Sequence, residues 1–258
     1  MEQSQDILSE SARFDLLEFL SKDKAPLFAF DFDGTLAAII DEPNSVFMAP
    51  SAYKKLDELA RRSKVVVLTG RSISDVRPRL PNSISVVVGS HGFEGHSRVS
   101  GENLEGAFNS TRKWLEALSV VTQRYRRNRL WIEDKKYSLS IHYREVKSSP
   151  QFTSLIAEIR SLAPEARFVL GKRVINLVPN GLPNKLDALH DLMRTLSRGR
   201  AFFIGDDVTD EVVFLDKSPD IFSVKVGFDS PLSASYYLHK QEDIECLLDF
   251  FLAAVDHN

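Results

Sequence analysis

Residues 26–36 read Pro-Leu-Phe-Ala-Phe-Asp-Phe-Asp-Gly-Thr-Leu, a short apolar run that ends in two acids and a glycine. A continuous apolar run of this length is typical of a strand buried on both faces of a parallel sheet. Asp31 and Asp33 stand two residues apart, so their side chains point the same way from the strand. Gly34 then lets the chain turn sharply. The stretch therefore predicts a buried strand that presents two carboxylates at its end.

The same alternation of short apolar strands and helices recurs along much of the chain. Further strands are expected at 64–68, 84–88, 201–204 and 221–226, with helices at 6–20, 51–62, 73–80, 185–196 and 209–215. This order predicts an α/β fold with a doubly wound, mostly parallel sheet covered by helices on both faces. Polar, glycine-containing segments follow at least four of the strands, and open α/β sheets bind ligands at those strand ends.

The middle of the chain has a different pattern. Helical segments at 107–127 and 151–162 alternate with two strand pairs, 129–134 with 137–143 and 167–170 with 174–178. The order predicts a separate small α+β unit, residues 104–180, inserted as a cap into a core formed by 1–103 and 181–258. The segment Pro179-Asn180-Gly181-Leu182-Pro183 is typical of a hinge between the two.

Composition limits the kinds of partner. The 258 residues carry 33 basic and 36 acidic side chains, a net charge of −3, so no basic excess favours nucleic acid. No apolar run approaches the ~18 residues that span a bilayer, and the polar residues 1–10 do not resemble a signal peptide. The single cysteine, Cys246, excludes an internal disulfide. We expect a cytoplasmic monomer whose partner is a small-molecule substrate, with neither nucleic acid nor membrane.

A second acidic group follows the strand at 201–204, in Gly205-Asp206-Asp207-Val208-Thr209-Asp210-Glu211. A helix start would explain the last two acids, because acids are favoured in a first helical turn. It does not explain Asp206 and Asp207, which directly follow the apolar run. Two acidic strand ends that face each other suit a hard divalent cation with oxygen ligands, and Mg²⁺ is the usual one in phosphate chemistry.

Two further polar residues lie where a helix begins. Thr69-Gly70-Arg71 follows the strand at 64–68, and its hydroxyl and backbone N–H suit one phosphoryl oxygen, although Thr is also a common helix cap. Lys185 opens a helix after Pro183-Asn184, but most lysines are simply solvated. Neither residue identifies a phosphate site alone.

Taken in order, Asp-X-Asp-Gly-Thr, Thr-Gly-Arg, a later Lys and Gly-Asp-Asp resemble the haloacid dehalogenase superfamily of phosphohydrolases. The resemblance implies a phosphatase in which Asp31 attacks phosphorus in line and forms an aspartyl-phosphate. Asp33 would protonate the leaving alcohol and then activate the hydrolytic water. Thr69 and Lys185 would hold phosphoryl oxygens.

The same resemblance implies that Mg²⁺ is the cofactor. Its ligands would be Asp31, the backbone carbonyl of Asp33, and Asp206, with Asp207 close by. The chemistry is consistent, because a sugar alkoxide is a poor leaving group that a general acid helps by about 10²–10⁴-fold. Charge on the transferring phosphoryl group also calls for a cation and a lysine around it.

Further segments narrow the resemblance. The segments Gly89-Ser90-His91-Gly92, Glu133-Asp134-Lys135, 138–144, Gly171-Lys172-Arg173-Val174 and 205–211 look like the trehalose-6-phosphate phosphatase family, in a match that runs over residues 26–240. In that family the cap binds the sugar hydroxyls, which implies hydrolysis of trehalose 6-phosphate to trehalose and phosphate. The candidate substrate-binding residues are Arg71, His91, Glu133, Lys135, Arg144, Lys172 and Asn176.

Strand parity supports part of this independently. In 137–143 the odd positions are apolar, whereas Ser138, Ser140 and His142 are polar, so one strand face is free to bind a ligand. The alternative is that this polar face is merely wet. His91 has an equally plain alternative, because a turn histidine often just hydrogen-bonds to backbone.

The chain departs from the family at two positions. Asn176 stands where the family usually has Glu, and an amide is shorter and uncharged. Leu186 replaces the usual Gly after the motif lysine, so the backbone there must avoid a positive φ. Neither change touches the phosphoryl chemistry, but Asn176 keeps open a phosphatase for another sugar or glycoside phosphate, such as sucrose 6-phosphate or glucosylglycerol phosphate.

Two rival functions come from other classes. A phospho-accepting receiver domain also combines acids, Thr and Lys on a doubly wound sheet, but it is much shorter and lacks an inserted cap. A catalytically silent binding protein is disfavoured because all the core motif residues are present.

Overall fold

A computed structural model describes residues 4–22, 25–40, 42–125, 129–143, 149–171, 173–228 and 233–255. Its strands are β1 (Gln5–Asp6), β2 (Leu27–Phe30), β3 (Val65–Leu68), β4 (Val86–Val88), β5 (Trp131–Asp134), β6 (Leu139–His142), β7 (Ala166–Gly171), β8 (Val174–Pro179), β9 (Ala201–Gly205), β10 (Ile221–Val226) and β11 (Tyr236–Leu238). Its α-helices are α1 (Glu10–Ser21), α2 (Pro50–Arg62), α3 (Ile73–Val76), α4 (Gly101–Arg124), α5 (Ser149–Leu162), α6 (Lys185–Thr195), α7 (Glu211–Phe214) and α8 (Ile244–Val255). Within the described residues, no helix combines the length and apolarity needed to cross a membrane.

The chain divides into two compact units. The first combines Met1–His96 with Pro183–Asn258, and the second is Ser97–Leu182. The N-terminal boundary of the second unit lies just before α4, which begins at Gly101. Ser100 caps this helix, since its Oγ accepts from the backbone N–H of Asn103 at 3.2 Å and the Asn103 Oδ1 accepts from the Ser100 N–H at 3.0 Å.

A seven-stranded sheet organises the first unit. Its order is β1-β11-β10-β9-β2-β3-β4, and every strand pair is parallel. All four residues of β2 are buried. Phe28 and Phe30 pack in one apolar cluster, whereas Leu27 and Ala29 pack in another. Alternate residues of a strand point to opposite faces, so the sheet is covered on both sides and the predicted doubly wound class is confirmed.

The ends of several elements differ from the sequence prediction. The helix expected over 73–80 is only α3, followed by a 3₁₀ turn at Arg77–Arg79, because Pro78 has no N–H to continue α-helical bonding. The first helix begins after Ser9, whose Oγ accepts from the Ala12 N–H at 3.3 Å. The short strands β1 and β11 were not predicted.

The second unit has the predicted order of helix, strand pair, helix, strand pair. Its antiparallel sheet runs β5-β6-β8-β7. One sheet face packs with α4 and α5 in an apolar core that includes Trp114, Leu139, Ile141, Leu155 and Ile175. The expected small α+β architecture is therefore present.

Candidate active site

Three adjacent strands of the first unit bring the predicted reactive residues to one edge of the sheet. β2 lies between β9 and β3. Asp31 follows β2, Asp206 follows β9 and Thr69 follows β3. The backbone N–H of Asp31 donates to the carbonyl of Ile204 at 2.9 Å, which continues the β2–β9 ladder up to the acid. The carboxyl ends of parallel strands meet at one edge, so residues far apart in sequence converge there.

Lys185 is the buried cation of the site. Its ammonium Nζ lies 2.9 Å from Asp31 Oδ1 and 2.6 Å from Asp210 Oδ1, and the residue is only 1% exposed. The pKa of Lys185 is raised, because the attraction of Asp210 and Asp31 outweighs the burial that would lower it. Lys185 is therefore a fixed positive charge between two carboxylates, and the simply solvated alternative is wrong.

The first turn of α6 accommodates the Leu186 departure. Asn184 caps the helix, its Oδ1 accepting from the N–H of Leu186 at 2.8 Å and of Asp187 at 3.1 Å. Leu186 is not among the described residues with positive φ. Lys185 therefore keeps its place without a glycine after it.

Three carboxylates converge beside the lysine. Oxygens of Asp31, Asp206 and Asp210 all lie within 4.8 Å of one another. Burial raises the pKa of Asp31 to about 7, with Lys185 opposing the shift and Asp210 adding to it. Burial, followed by repulsion from Asp31 and Asp210, raises the pKa of Asp206 well above its ordinary value. These carboxylates destabilise one another when ionised, unless a cation joins them.

The Asp206 carboxylate supplies a direct test of whether a cation fits. Its Oδ1 is buried and has no hydrogen-bond partner within the described part of the chain. A buried charged acceptor without a partner is costly, and a hard cation such as Mg²⁺ takes oxygen ligands of this kind. The donor set of Asp31, Asp206 and Asp210 therefore fits a divalent cation.

Two glycines allow these carboxylates to approach the backbone. A Cβ on Gly34 would lie 2.1 Å from Asp206 Oδ2, and its φ of +76° favours glycine independently. A Cβ on Gly205 would lie 2.5 Å from Asp210 Oδ2. The two glycines of the motifs thus make room for the acids of the site.

Asp33 does not join the carboxylate cluster through its side chain. Arg71 donates to both of its oxygens, and a further 2.7 Å bond joins Arg71 Nη1 to Asp75 Oδ2. Arg79 donates to Asp75 in turn, and also to backbone carbonyls at Asn44 and Val46. The guanidinium of Arg71 is therefore held in a chain of ion pairs that sets the position of Asp33.

Thr69 and His91 meet in the loops after β3 and β4. The Thr69 hydroxyl accepts from the Arg71 N–H at 3.1 Å, and the Thr69 carbonyl accepts from the His91 N–H at 2.9 Å. His91 is buried, with φ of +61°, and a Cβ on Gly70 would lie 2.5 Å from its Cε1. The imidazole therefore packs directly over the Thr-Gly-Arg turn.

Two residues of this region were not predicted from the sequence. Asp210 was attributed to a helix start, but its carboxylate binds Lys185 and its Oδ2 accepts from the Asp207 N–H at 3.1 Å. The buried Glu94 joins the two loops, since its Oε2 accepts from the Ile73 N–H at 2.8 Å and the Ser90 hydroxyl at 3.1 Å. A Gly-X-Glu spacing after Ser-His was the only available signal for Glu94.

The second unit carries the predicted sugar-binding residues that the structure describes. Glu133 Oε2 lies 3.9 Å from Lys135 Nζ, and Ser140, opposite Glu133 on β6, donates to Asn176 Oδ1 at 2.6 Å. Asn176 and Ser140 are buried, so the alternative of a polar face that is merely exposed to solvent does not hold for these two residues. Arg144 and Lys172 lie outside the described residues.

Comparison with known proteins identifies the relatives of this chain. The trehalose-phosphatase family model matches residues 29–242. Trehalose-phosphate phosphatase B of Arabidopsis thaliana is 28% identical over 219 residues, which cover 78% of this chain and 58% of that protein. The trehalose-phosphate phosphatase of Mycobacterium tuberculosis H37Rv is 28% identical over 206 residues, 74% of this chain and 51% of its own length. The chain thus spans just over half the length of these relatives.

A solved structure resembles the whole fold. The C-terminal domain of C. albicans trehalose-6-phosphate phosphatase matches with a TM-score of 0.71 and 19% identity, over 98% of this chain and 99% of that domain. At this identity the likeness bears on the fold alone. The family resemblance indicated by the sequence motifs is confirmed by the family model and by these matches.

Proposed function

Because this chain belongs to the trehalose-phosphatase family, we propose that it hydrolyses trehalose 6-phosphate to trehalose and phosphate, using Mg²⁺ and an aspartyl-phosphate on Asp31. In this proposal, the residues that follow β2, β9 and β3 in the first unit carry out the phosphoryl transfer. Both relatives named above are trehalose-phosphate phosphatases, which supports the same reaction here.

The observation that carries the proposal is the placement of Lys185 against Asp31. A carboxylate attacks phosphorus only when ionised, and burial raises the pKa of Asp31 to about 7 even though Lys185 opposes the shift. The Lys185 ammonium, 2.9 Å away, favours the ionised form. Mg²⁺ held by Asp31, the backbone carbonyl of Asp33 and Asp206, with Asp207 and Asp210 close by, would add charge to stabilise the transferring phosphoryl group.

The remaining residues of the first unit take complementary roles. Asp33 donates a proton to the leaving sugar oxygen and then accepts one from the attacking water. Thr69 and Lys185 hold phosphoryl oxygens, and the fork of Arg71 suits an anionic oxygen pair. His91, packed over Gly70, lines the same turn.

We assign recognition of the sugar to Glu133, Lys135 and Asn176 in the second unit, together with Arg144 and Lys172. Asn176 supports a second candidate, a phosphatase for another sugar or glycoside phosphate such as sucrose 6-phosphate. Its carbonyl already accepts from Ser140. An amide whose oxygen is already engaged has less hydrogen-bonding capacity left for a sugar hydroxyl than a carboxylate would have.

A substrate panel tests the proposal. Purified protein with Mg²⁺ is assayed on trehalose 6-phosphate, sucrose 6-phosphate, glucose 6-phosphate, glucosylglycerol phosphate and a small aryl phosphate. We expect the highest kcat/KM on trehalose 6-phosphate; a clear preference for another sugar phosphate would select the second candidate.

Asp31→Asn should lower turnover by about 10³-fold or more while the protein stays folded, because the amide cannot attack phosphorus. Asp243→Asn, outside the site, is the control and should keep full turnover.

A further inference from the structure

Trp131 and His142 form a stacked pair on the sheet of the second unit. They are opposite residues of the antiparallel strands β5 and β6. Their ring centroids lie 3.9 Å apart, with planes inclined by only 8°. Trp131 nevertheless remains 39% exposed, so a large flat apolar surface is left open to solvent.

The pair is held in place by a charged neighbour. His142 Nε2 and Glu133 Oε2 are 3.0 Å apart, which fixes the imidazole beneath the indole. Lys135 Nζ is 3.9 Å from the same Glu133 oxygen. The indole therefore lies on the same strand as one carboxylate, and the turn that follows the strand supplies one ammonium group.

Packing of the unit does not account for this arrangement. Ile132 and Ile141, on the opposite face of the same strand pair, pack in the apolar core. Trp131 lies on the other face of the strand pair, so the core does not need its indole, and its cross-strand pair with His142 contributes only about 0.2–1 kcal/mol. An indole that is stacked flat, 39% exposed and next to hydrogen-bonding groups has the features of a ligand-binding surface.

We propose that Trp131, backed by His142, is the stacking surface for a pyranose ring of the substrate, with Glu133 and Lys135 binding the hydroxyls around the ring edge. A pyranose has a face of C–H groups and a rim of hydroxyls. The indole suits the first, and the charged pair suits the second. The inference rests on the proposed sugar-phosphatase function and names residues that determine its specificity.

Kinetics on two substrates test the stacking surface. Trp131→Ala should lower kcat/KM about tenfold on the preferred sugar phosphate and leave a small aryl phosphate within about twofold. Trp131→Phe should recover most of the loss, because it restores an aromatic face. Phe108→Ala is the matched control, since Phe108 is 38% exposed in the same unit, and it should not change either value. Equal losses on both substrates with Trp131→Ala would overturn the proposal.

A binding measurement covers the case in which Trp131→Ala fails to fold. The chain has two tryptophans, and Trp114 is 5% exposed, so Trp114→Phe leaves Trp131 as the only indole reporter. Trehalose should change its fluorescence in a saturable way, and glycerol should not. No saturable change with trehalose or with the sugar released from the preferred substrate would reject the surface. Failure of the proposed function is a separate result, because wild-type protein would then leave trehalose 6-phosphate unhydrolysed.

Discussion

Arg71 donates to both carboxylate oxygens of Asp33, from Nε to Oδ2 at 2.7 Å and from Nη2 to Oδ1 at 2.7 Å. The carboxylate assigned to proton transfer is thus positioned by a two-point bond from a side chain that is itself 8% exposed. Each oxygen has a second lone pair, so Asp33 can carry the proton assigned to it while Arg71 holds its orientation.

Arg71→Lys removes this two-point geometry while keeping the positive charge. A lysine ammonium cannot bind both oxygens in one plane, so Asp33 loses its fixed orientation. We expect kcat/KM for the sugar phosphate to fall by about 10–100-fold. Steady-state kinetics measure the change, with Arg61→Lys on the outer face of α2 as the control. Wild-type kcat/KM in Arg71→Lys would mean that the fork has no role in the reaction.

Binding of Mg²⁺ should stabilise the fold. Asp31, Asp206 and Asp210 repel one another, and the Lys185 ammonium offsets only part of the cost of ionising these buried carboxylates. At a free concentration of ~100 times Kd, a ligand bound only by the folded state adds about 2.7 kcal/mol. Thermal unfolding with Mg²⁺ or with a chelator measures this. Asp206→Asn should lose most of the shift, and an unchanged shift in that variant would place the cation elsewhere.

The stabilisation should depend on pH with a definite sign. Burial raises the pKa of Asp31 to about 7, so between about pH 4 and pH 7 the folded state keeps a proton that the unfolded state releases. The free energy of unfolding of the cation-free protein therefore falls as pH rises through this window. Protons also compete with Mg²⁺ at the low end. We expect a larger Mg²⁺-induced Tm shift at about pH 8 than at about pH 5; the opposite order would contradict the carboxylate assignment.

Gly34→Ala should damage the cation site specifically. The new Cβ would lie 2.1 Å from Asp206 Oδ2, and the φ of +76° is strained for alanine. We expect a loss of about 1–3 kcal/mol in unfolding free energy and a weaker Mg²⁺-induced Tm shift. Gly199→Ala is the control, since nothing lies within 4 Å of a Cβ there. Chemical denaturation and Tm measurements report both effects. A Gly34→Ala protein with wild-type Mg²⁺ response would contradict the close approach.

Glu94 should contribute to stability through the loops it joins. Glu94→Ala leaves the Ile73 N–H and the Ser90 hydroxyl without their buried acceptor. Leaving such groups unsatisfied costs about 1–3 kcal/mol each, so we expect the free energy of unfolding, measured in urea, to fall by about 2–6 kcal/mol. Glu94→Gln retains one acceptor oxygen and should lose less. Equal losses in the two variants would show that charge, rather than acceptance, is what Glu94 supplies.

The strand ends were predictable because they depend on local sequence and a general rule. Asp31, Asp206 and Thr69 each follow a short apolar run, and parallel strands bring their ends to one edge. Lys185 was ambiguous until its order among the motifs was considered. The pairing of Asp33 with Arg71 was not predictable, because it depends on side-chain direction across 38 residues.

Other features were missed for physical reasons. Acids are favoured at a helix start, which already explains Asp210, so the sequence did not indicate its bond to Lys185, 25 residues away. The strands β1 and β11 have two and three residues, too few for a periodic pattern. The Trp131–His142 stack depends on strand register, which a sequence places only to within a residue or two.

The position of β2 also determines how firmly Asp31, the proposed nucleophile, is held when the sheet fluctuates. β2 has a hydrogen-bonded strand on each side, whereas β1 and β4 are the edges of the sheet. Exchange of amide hydrogens with solvent deuterium begins at edges and termini and reaches interior strands last. Asp31 is therefore attached to an interior strand, where we expect slow amide exchange, and fraying at either edge of the sheet would leave its backbone bonded to Ile204.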